Sequence, residues 1–298
     1  IAMTENAAML TEGREYDQAI KEAMRVYDYS KGDDDAQSKA LYNVGALYEG
    51  QKNVDQAVKT YLRVIKEFPK SEVAPDALYT IGLIYESQTE FEKAADSFED
   101  MEKFKTSAGK EPTDEEKKKA YNTMMKQVAD SLQNAGLIRE ALGDYKQAID
   151  VYQKYVKLFP NNTETPKIDL RIGLVYEMMG EKAENLKKAH DAYQAWLKKP
   201  YKQSGELAVE AASRAGAALK KIDKVKNRAA AVALFQKSLD VFGKIGSNEA
   251  AVTYSKAYAA QAAFELADYL YDDFNAIKIP STLDPRVLKK ALTDKAEA

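Results

Sequence analysis

Residues 41–69 read LYNVGALYEGQKNVDQAVKTYLRVIKEFP. Leu41, Val44, Gly45 and Tyr48 precede a short polar stretch, and Ala57, Tyr61 and Pro69 follow it. Steps of three and four residues on each side of a turn are the signature of two amphipathic helices folded against each other. The pattern recurs from Leu78, with Ile81, Gly82, Tyr85, Ala94 and Phe98 at matching positions. A small residue such as Gly45 or Ala57 lets the partner helix approach, while Tyr48 and Tyr61 fill the space beside it. One such pair cannot bury its apolar faces alone, so neighbouring pairs must stack.

Further copies follow along the chain. Leu132, Ala135, Gly136, Ala148, Tyr152, Tyr155 and Pro160 form a third unit, with Arg139 at the position held by Tyr48 and Tyr85. Ile172, Gly173, Tyr176, Ala189, Tyr193, Trp196 and Pro200 form a fourth, stretched by about four residues around Glu181 to Lys188. That stretch is expected to keep both helices and to lengthen the turn between them. Before Leu41, the run Tyr16, Ala19, Ala23 and Val26 reads as the second helix of an opening pair whose first helix is Met3 to Leu10. After Pro200, Gly216, Ala231 and Phe235 mark degenerate pairs, and Tyr254 to Phe274 reads as a capping helix. A segment of about 20 residues interrupts the rhythm after Met101. It reads as a flexible loop up to Pro112 and then a long helix capped near Thr113. Two prolines between Asn275 and Pro285 end the array before a short last helix.

The expected organisation is a degenerate repeat at 1–37, two well-formed repeats at 38–105, a loop and helix extension at 106–128, two repeats at 129–206 and a degenerate repeat with capping helices at 207–298. The fold class is all-α, a right-handed α-solenoid of stacked helical hairpins.

Apolar residues make up 45% of the 298 and charged residues 31%, and no apolar run reaches the roughly 18 residues of a membrane span. Residues 1–100 carry 11 Lys plus Arg against 20 Asp plus Glu, whereas residues 182–228 carry 12 against 5. The acidic first third argues against nucleic acid as a ligand. The basic run Lys220, Lys221, Lys224, Lys226 and Arg228 reads as a solvated helix face, with a phosphate or anionic lipid contact as the alternative.

Catalysis finds little support. The chain has no cysteine and one histidine, His190, which without a neighbouring nucleophile or ligand cluster makes neither a triad nor a zinc site. The glycines sit at helix-packing positions, not in a phosphate loop. Asp33, Asp34 and Asp35 lack the alternating ligands and closing Glu of a calcium loop and read as a turn and helix cap. No catalytic residue, cofactor or metal is therefore expected.

Among the tyrosines, Tyr48, Tyr61, Tyr85, Tyr152, Tyr176 and Tyr193 occupy packing positions. Tyr42 and Tyr79 each follow the leading Leu of a repeat, which turns them toward a concave wall made by the first helices. Lys39, Asn43, Ala46, Thr80, Leu83, Glu86, Asn134 and Arg171 share that wall, and a peptide or amphipathic helix of a protein partner suits its mixture of aromatic, aliphatic and polar groups.

These motifs resemble the tetratricopeptide repeat, specifically over residues 38–105 and 129–200. The resemblance implies a noncatalytic scaffold for protein–protein contacts. It does not extend to the subclass that clamps a terminal carboxylate, since only Asn43 and Arg171 partly suit that role. The endings Glu67-Phe68-Pro69 and Leu158-Phe159-Pro160, with the tail from Tyr271 to Pro280, are similar to bacterial envelope repeat proteins, especially the adventurous-gliding-motility lipoproteins. That narrower resemblance implies a periplasmic or outer-membrane-associated adaptor. Because the chain begins at Ile1, a removed targeting signal and an N-terminal lipid tether are expected with it. A cytoplasmic regulator or chaperone adaptor, and the repeat module of a larger enzyme, are the alternatives. Partner identity and oligomeric state are not read from the sequence.

Overall fold

The computed structural model describes residues 15–201, 205–245, 249–278 and 284–297, all in helices or the turns between them. The expected helix at Met3 to Leu10 lies outside these residues. The chain divides into two compact units, one ending at Pro160 and the other beginning at Asn161.

The first unit contains α1 (Tyr16–Tyr29), α2 (Asp34–Gly50), α3 (Val54–Glu67), α4 (Ala74–Ser87), α5 (Phe91–Glu99), α6 (Glu102–Ser107), α7 (Glu115–Ala141) and α8 (Tyr145–Leu158). Each packs mainly on its sequence neighbours, with α5 also against α7 across the short α6. The second unit contains α9 (Thr165–Met178), α10 (Ala183–Leu197), α11 (Gly205–Ile222), α12 (Arg228–Phe242), α13 (Glu249–Ala276) and α14 (Pro285–Glu297). There α9, α10, α11 and α12 pack in series and α13 lies against both α11 and α12. The chain is all-α, and within each unit its hairpins stack as in an α-solenoid.

Local chemistry sets the boundaries. Asp33, in the acidic triplet, caps α2 by accepting from the Ala36 N–H at 3.0 Å. Asp114, one residue after the expected cap Thr113, does the same for α7 through the Lys117 N–H. A side-chain acceptor there satisfies one of the orphan N–H groups of a first turn. Pro75 and Pro166 sit in the first turns of α4 and α9, where a missing N–H costs nothing. Four of the hairpin turns hold one residue in the left-handed region, seven positions after the packing glycine: Lys52, Thr89, Gly143 and Gly180, with φ of 60°, 61°, 80° and 103°.

The fourth repeat departs from expectation. Its turn, residues 179–182, is only one residue longer than the turns at 51–53 and 88–90. The other added residues begin α10: Tyr193 lies ten positions after Ala183, whereas Tyr61 lies seven after Val54. The insertion is therefore mostly an extra helical turn, consistent with the strong helix formers in Ala183-Glu-Asn-Leu-Lys-Lys-Ala.

Candidate functional site

In five hairpins a glycine of the first helix faces an aromatic ring of the second. A Cβ built on Gly45, Gly82, Gly136, Gly173 or Gly216 would fall 2.6, 2.5, 2.2, 2.3 or 2.7 Å from the ring of Tyr61, Phe98, Tyr152, Tyr193 or Phe235. These contacts are too short for any side chain, so only glycine lets the helices approach this closely. All five rings are buried, at 1% exposure or less.

Where the ring is tyrosine, its hydroxyl finds a carboxylate four residues after the glycine. Tyr61 donates to Glu49 at 3.2 Å, Tyr152 to Glu140 at 2.7 Å and Tyr193 to Glu177 at 2.9 Å. Burial and the nearby carboxylate push the Tyr61 and Tyr193 phenols well above their ordinary value, so both remain donors. In the second repeat the ring is Phe98, which has no hydroxyl. The corresponding carboxylate, Glu86, is exposed and has no side-chain hydrogen bond or ion pair among the described residues.

The predicted wall of the first unit is built from α2, α4 and α7. Tyr42 of α2 lies beside Thr80 of α4, and burial raises its phenol above the ordinary value. Its ring packs 5.2 Å from Tyr61, and Tyr79 packs 5.9 Å from Phe98. Both tyrosines are half-buried and form the floor of the wall. Asp76 of α4 accepts from the Gln127 amide of α7 at 2.7 Å, which continues the wall to Asn134, also half-buried. Lys39 is tied to Asp35 within its own helix at 2.8 Å. Asn43, Ala46, Leu83 and Glu86 are the open positions, and Leu83 is 40% exposed. Arg171 lies on α9 of the second unit, half-buried.

Other sequence readings change once partners are visible. Tyr48, Tyr85 and Tyr176 are half-buried, not core like Tyr61, Tyr152 and Tyr193. Arg139, in the position of Tyr48, is 6% exposed and forms ion pairs with Asp96 and with Glu99 of α5. His190 is held through Nδ1 by the Ala215 carbonyl, 3.1 Å away.

Three residues of the basic run, Lys220, Lys224 and Arg228, are engaged by carboxylates and are not an open anion site, whereas Lys221 and Lys226 are exposed as on a solvated face. Lys220 pairs with Glu265 and Asp268, Lys224 with Asp268 and Asp272, and Arg228 with Asp273 at 2.5 Å, all from α13. Their cationic groups also lie 5.1–5.7 Å from the centre of the buried Tyr269 ring. Hydrogen bonds from Lys220 and Lys224 hold the Asp268 carboxyl down at about 2. A second network joins α9, α10, α11 and α13: Tyr193 and Arg214 donate to Glu177, and Arg214 and Tyr254 to the buried Glu210. Among the described residues no group of three or more His, Asp or Glu side chains could hold a metal, and no helix is long and apolar enough to cross a membrane.

Residues 39–71 and 130–162 each match the family model described as the tetratricopeptide repeat. These two stretches are tetratricopeptide repeats. They are the first and third copies of the sequence pattern, the third retaining the match with Arg139 in place of tyrosine. No curated protein matches the chain. Among solved structures, MamA protein is similar at 21% identity over 71% of this chain and 95% of its own, with a TM-score of 0.39. BtubC from P. vanneervenii is similar at 14% identity over 91% and 93%, with a TM-score of 0.38. A tetratricopeptide repeat protein from Parabacteroides merdae is similar at 11% identity over 99% and 98%, with a TM-score of 0.36. Tetratricopeptide repeats are a scaffold for protein–protein interaction, which sets the general class of function.

Proposed function

We propose that this chain is a noncatalytic scaffold that holds a segment of a protein partner on the α2–α4–α7 wall of its first unit, within a bacterial cell-envelope complex. The observation that carries the binding reading is the pairing of exposed Leu83 with Glu86 on α4. Glu49 is engaged by Tyr61 and Glu140 by Tyr152, but Phe98 leaves Glu86 available. An amphipathic segment would anchor an apolar side chain over Leu83 and bring a Lys or Arg to Glu86. The envelope setting rests on the resemblance at residues 67–69, 158–160 and 271–280.

Phe98→Tyr tests the binding reading without disturbing the wall's shape. The added hydroxyl would engage Glu86 as its counterparts engage Glu49 and Glu140, and partner capture should fall while the helical circular dichroism is unchanged. A photo-crosslinking residue at Ala46 or Leu83 should trap the partner, and one at Lys59, exposed on α3, should not. Equal crosslinking from all three positions, or undiminished capture by both Phe98→Tyr and Glu86→Gln, would refute the wall. Fractionation of the native host tests the setting separately: recovery in the cytosol would remove the envelope reading.

A further inference from the structure

Helix α13 has two faces with different fates. Ser255, Ala262 and Tyr269, at seven-residue intervals, are buried against the unit together with Ala259. On the other side an unbroken alternation of three- and four-residue steps runs from Ala250 to Phe274, and all eight of its positions are exposed. Seven are apolar or aromatic and the eighth is Thr253. Phe264 is 71% exposed, Tyr271 63% and the adjoining Leu270 56%. This is the seam of a coiled coil without a second strand. Helix α14 does not supply one, because these exposures hold with α14 in place. It reaches this end of the chain through Lys295, whose Nζ lies 4.1 Å from the centre of the Phe274 ring and donates to the Ile277 carbonyl at 3.4 Å.

We propose that the seam is filled by the α13 of a second copy of this chain, antiparallel, in an isologous dimer. The sequence is graded: small residues occupy the first half of the seam and bulky ones the second. An antiparallel pair with its two-fold axis beside Ala262 sets Phe274 on Ala250, Tyr271 on Thr253 and Phe264 on Ala260, with Ala257 on Ala267 in the remaining layer. Three of the four layers thus match a ring to a small residue, as close packing requires. A parallel pair would instead crowd ring on ring at one end and leave alanine on alanine at the other. On the flanks Lys256 falls beside Leu270, Gln261 beside its own copy and Tyr254 beside Asp268, so no like charges oppose one another.

The extent is sufficient. The seam spans 25 residues, from Ala250 to Phe274, or about 37 Å of helix. Three partly exposed rings, each able to bury roughly 150–250 Å² when fully covered, together with Leu270 and the alanines bring the pair to about 1,200 Å². A specific interface needs about 1,000 Å². A two-fold contact of this kind uses the same patch on both copies and closes on itself. The inference does not rest on the α2–α4–α7 wall.

Sedimentation equilibrium of the full chain across about 1–100 µM tests it, since dimer population follows concentration. The expected mass is that of a dimer. In Phe264→Glu/Tyr271→Glu the dimer should weaken by about 100-fold or more, because two carboxylates would be buried at the seam. Circular dichroism should not change, since both side chains are exposed in the single chain. A monomer throughout the range, or a dimer unaffected by the double substitution, would overturn the proposal. The lack of native cysteine makes the direction readable with a short bis-maleimide. Ala263→Cys lies next to the two-fold and should crosslink to its own copy, whereas Ala257→Cys should not. The reverse result would overturn the antiparallel register.

Discussion

Replacing Gly136 with alanine measures how tightly the hairpins are locked. The new Cβ would lie 2.2 Å from Cε1, 2.6 Å from Cζ and 2.8 Å from Cδ1 of Tyr152, whereas ordinary contact begins at 3.4 Å. The ring must retreat by the difference, about 1.2 Å, and it is completely buried. A movement of that size also pulls its hydroxyl from Glu140, now 2.7 Å away and itself 6% exposed. Exchanging glycine for alanine within a helix is worth about 1 kcal/mol in favour of the variant. Overpacking opposes it by about 1–3 kcal/mol, and loss of a hydrogen bond to a charged acceptor by about 1.5–3 kcal/mol. The net expectation is a loss of about 1.5–5 kcal/mol. Gly82→Ala is the control, because the same clash meets Phe98, which has no hydroxyl to lose; its net cost should be about 0–2 kcal/mol. Urea denaturation followed by circular dichroism compares the two. In a double-mutant cycle, Tyr152→Phe should cost about 1 kcal/mol or more in the native background and almost nothing beside Gly136→Ala. Equal losses at Gly136 and Gly82, or a full cost for Tyr152→Phe in both backgrounds, would refute the reasoning.

Two further outcomes follow from residues already placed. Thr89 holds φ of 61° in a turn position where the third and fourth repeats use Gly143 and Gly180; Thr89→Gly should therefore stabilise the first unit by about 1 kcal/mol, read as a raised urea midpoint at unchanged slope. Asp268 has its carboxyl held at about 2, below the ordinary 3.8 at which it titrates in the unfolded chain. The stabilisation from its lysine pairs is then present above about pH 4 and lost between about pH 4 and 2. Asp268→Asn should flatten the acid unfolding curve in that window, and an unchanged curve would show that the α11–α13 ion pairs contribute nothing.

The helical hairpins were legible because the decisive contacts are local. Gly45 and Tyr61 lie 16 residues apart, and any chain that folds back through a three-residue turn must bring them together. The carboxylates hydrogen-bonded to the rings were missed although Glu49, Glu140 and Glu177 each sit four residues after a packing glycine. A lone Glu on a helix looks solvated until the ring opposite is known. The charge cluster was misread for a more basic reason. Lys220 meets Glu265 and Asp268 across 45 and 48 residues, and periodicity carries no information at that range. The available signal was the matching acidic spacing of Asp268 and Asp272 against Lys220 and Lys224. Of the wall residues, Asn43, Ala46, Leu83 and Glu86 are exposed. Tyr42 and Tyr79 stand one position from a buried leucine, yet their long rings fold back onto Tyr61 and Phe98. Exposure read from spacing alone places the Cβ and not the end of an aromatic side chain.

The lengthened α10 bears on how such a chain can vary. Each residue advances a helix by about 100°, so three added residues rotate everything after them by about 300°, only about 60° short of a full circle. Tyr193 consequently still meets Gly173. One or two added residues would have swung the ring to another side of the helix and left the glycine facing a stranger. The lock between the two helices thus acts as a phase filter on mutation: near-whole turns pass, partial turns do not. Length differences among repeats of this design should accordingly come in steps of three or four within helices, with other sizes confined to the turns.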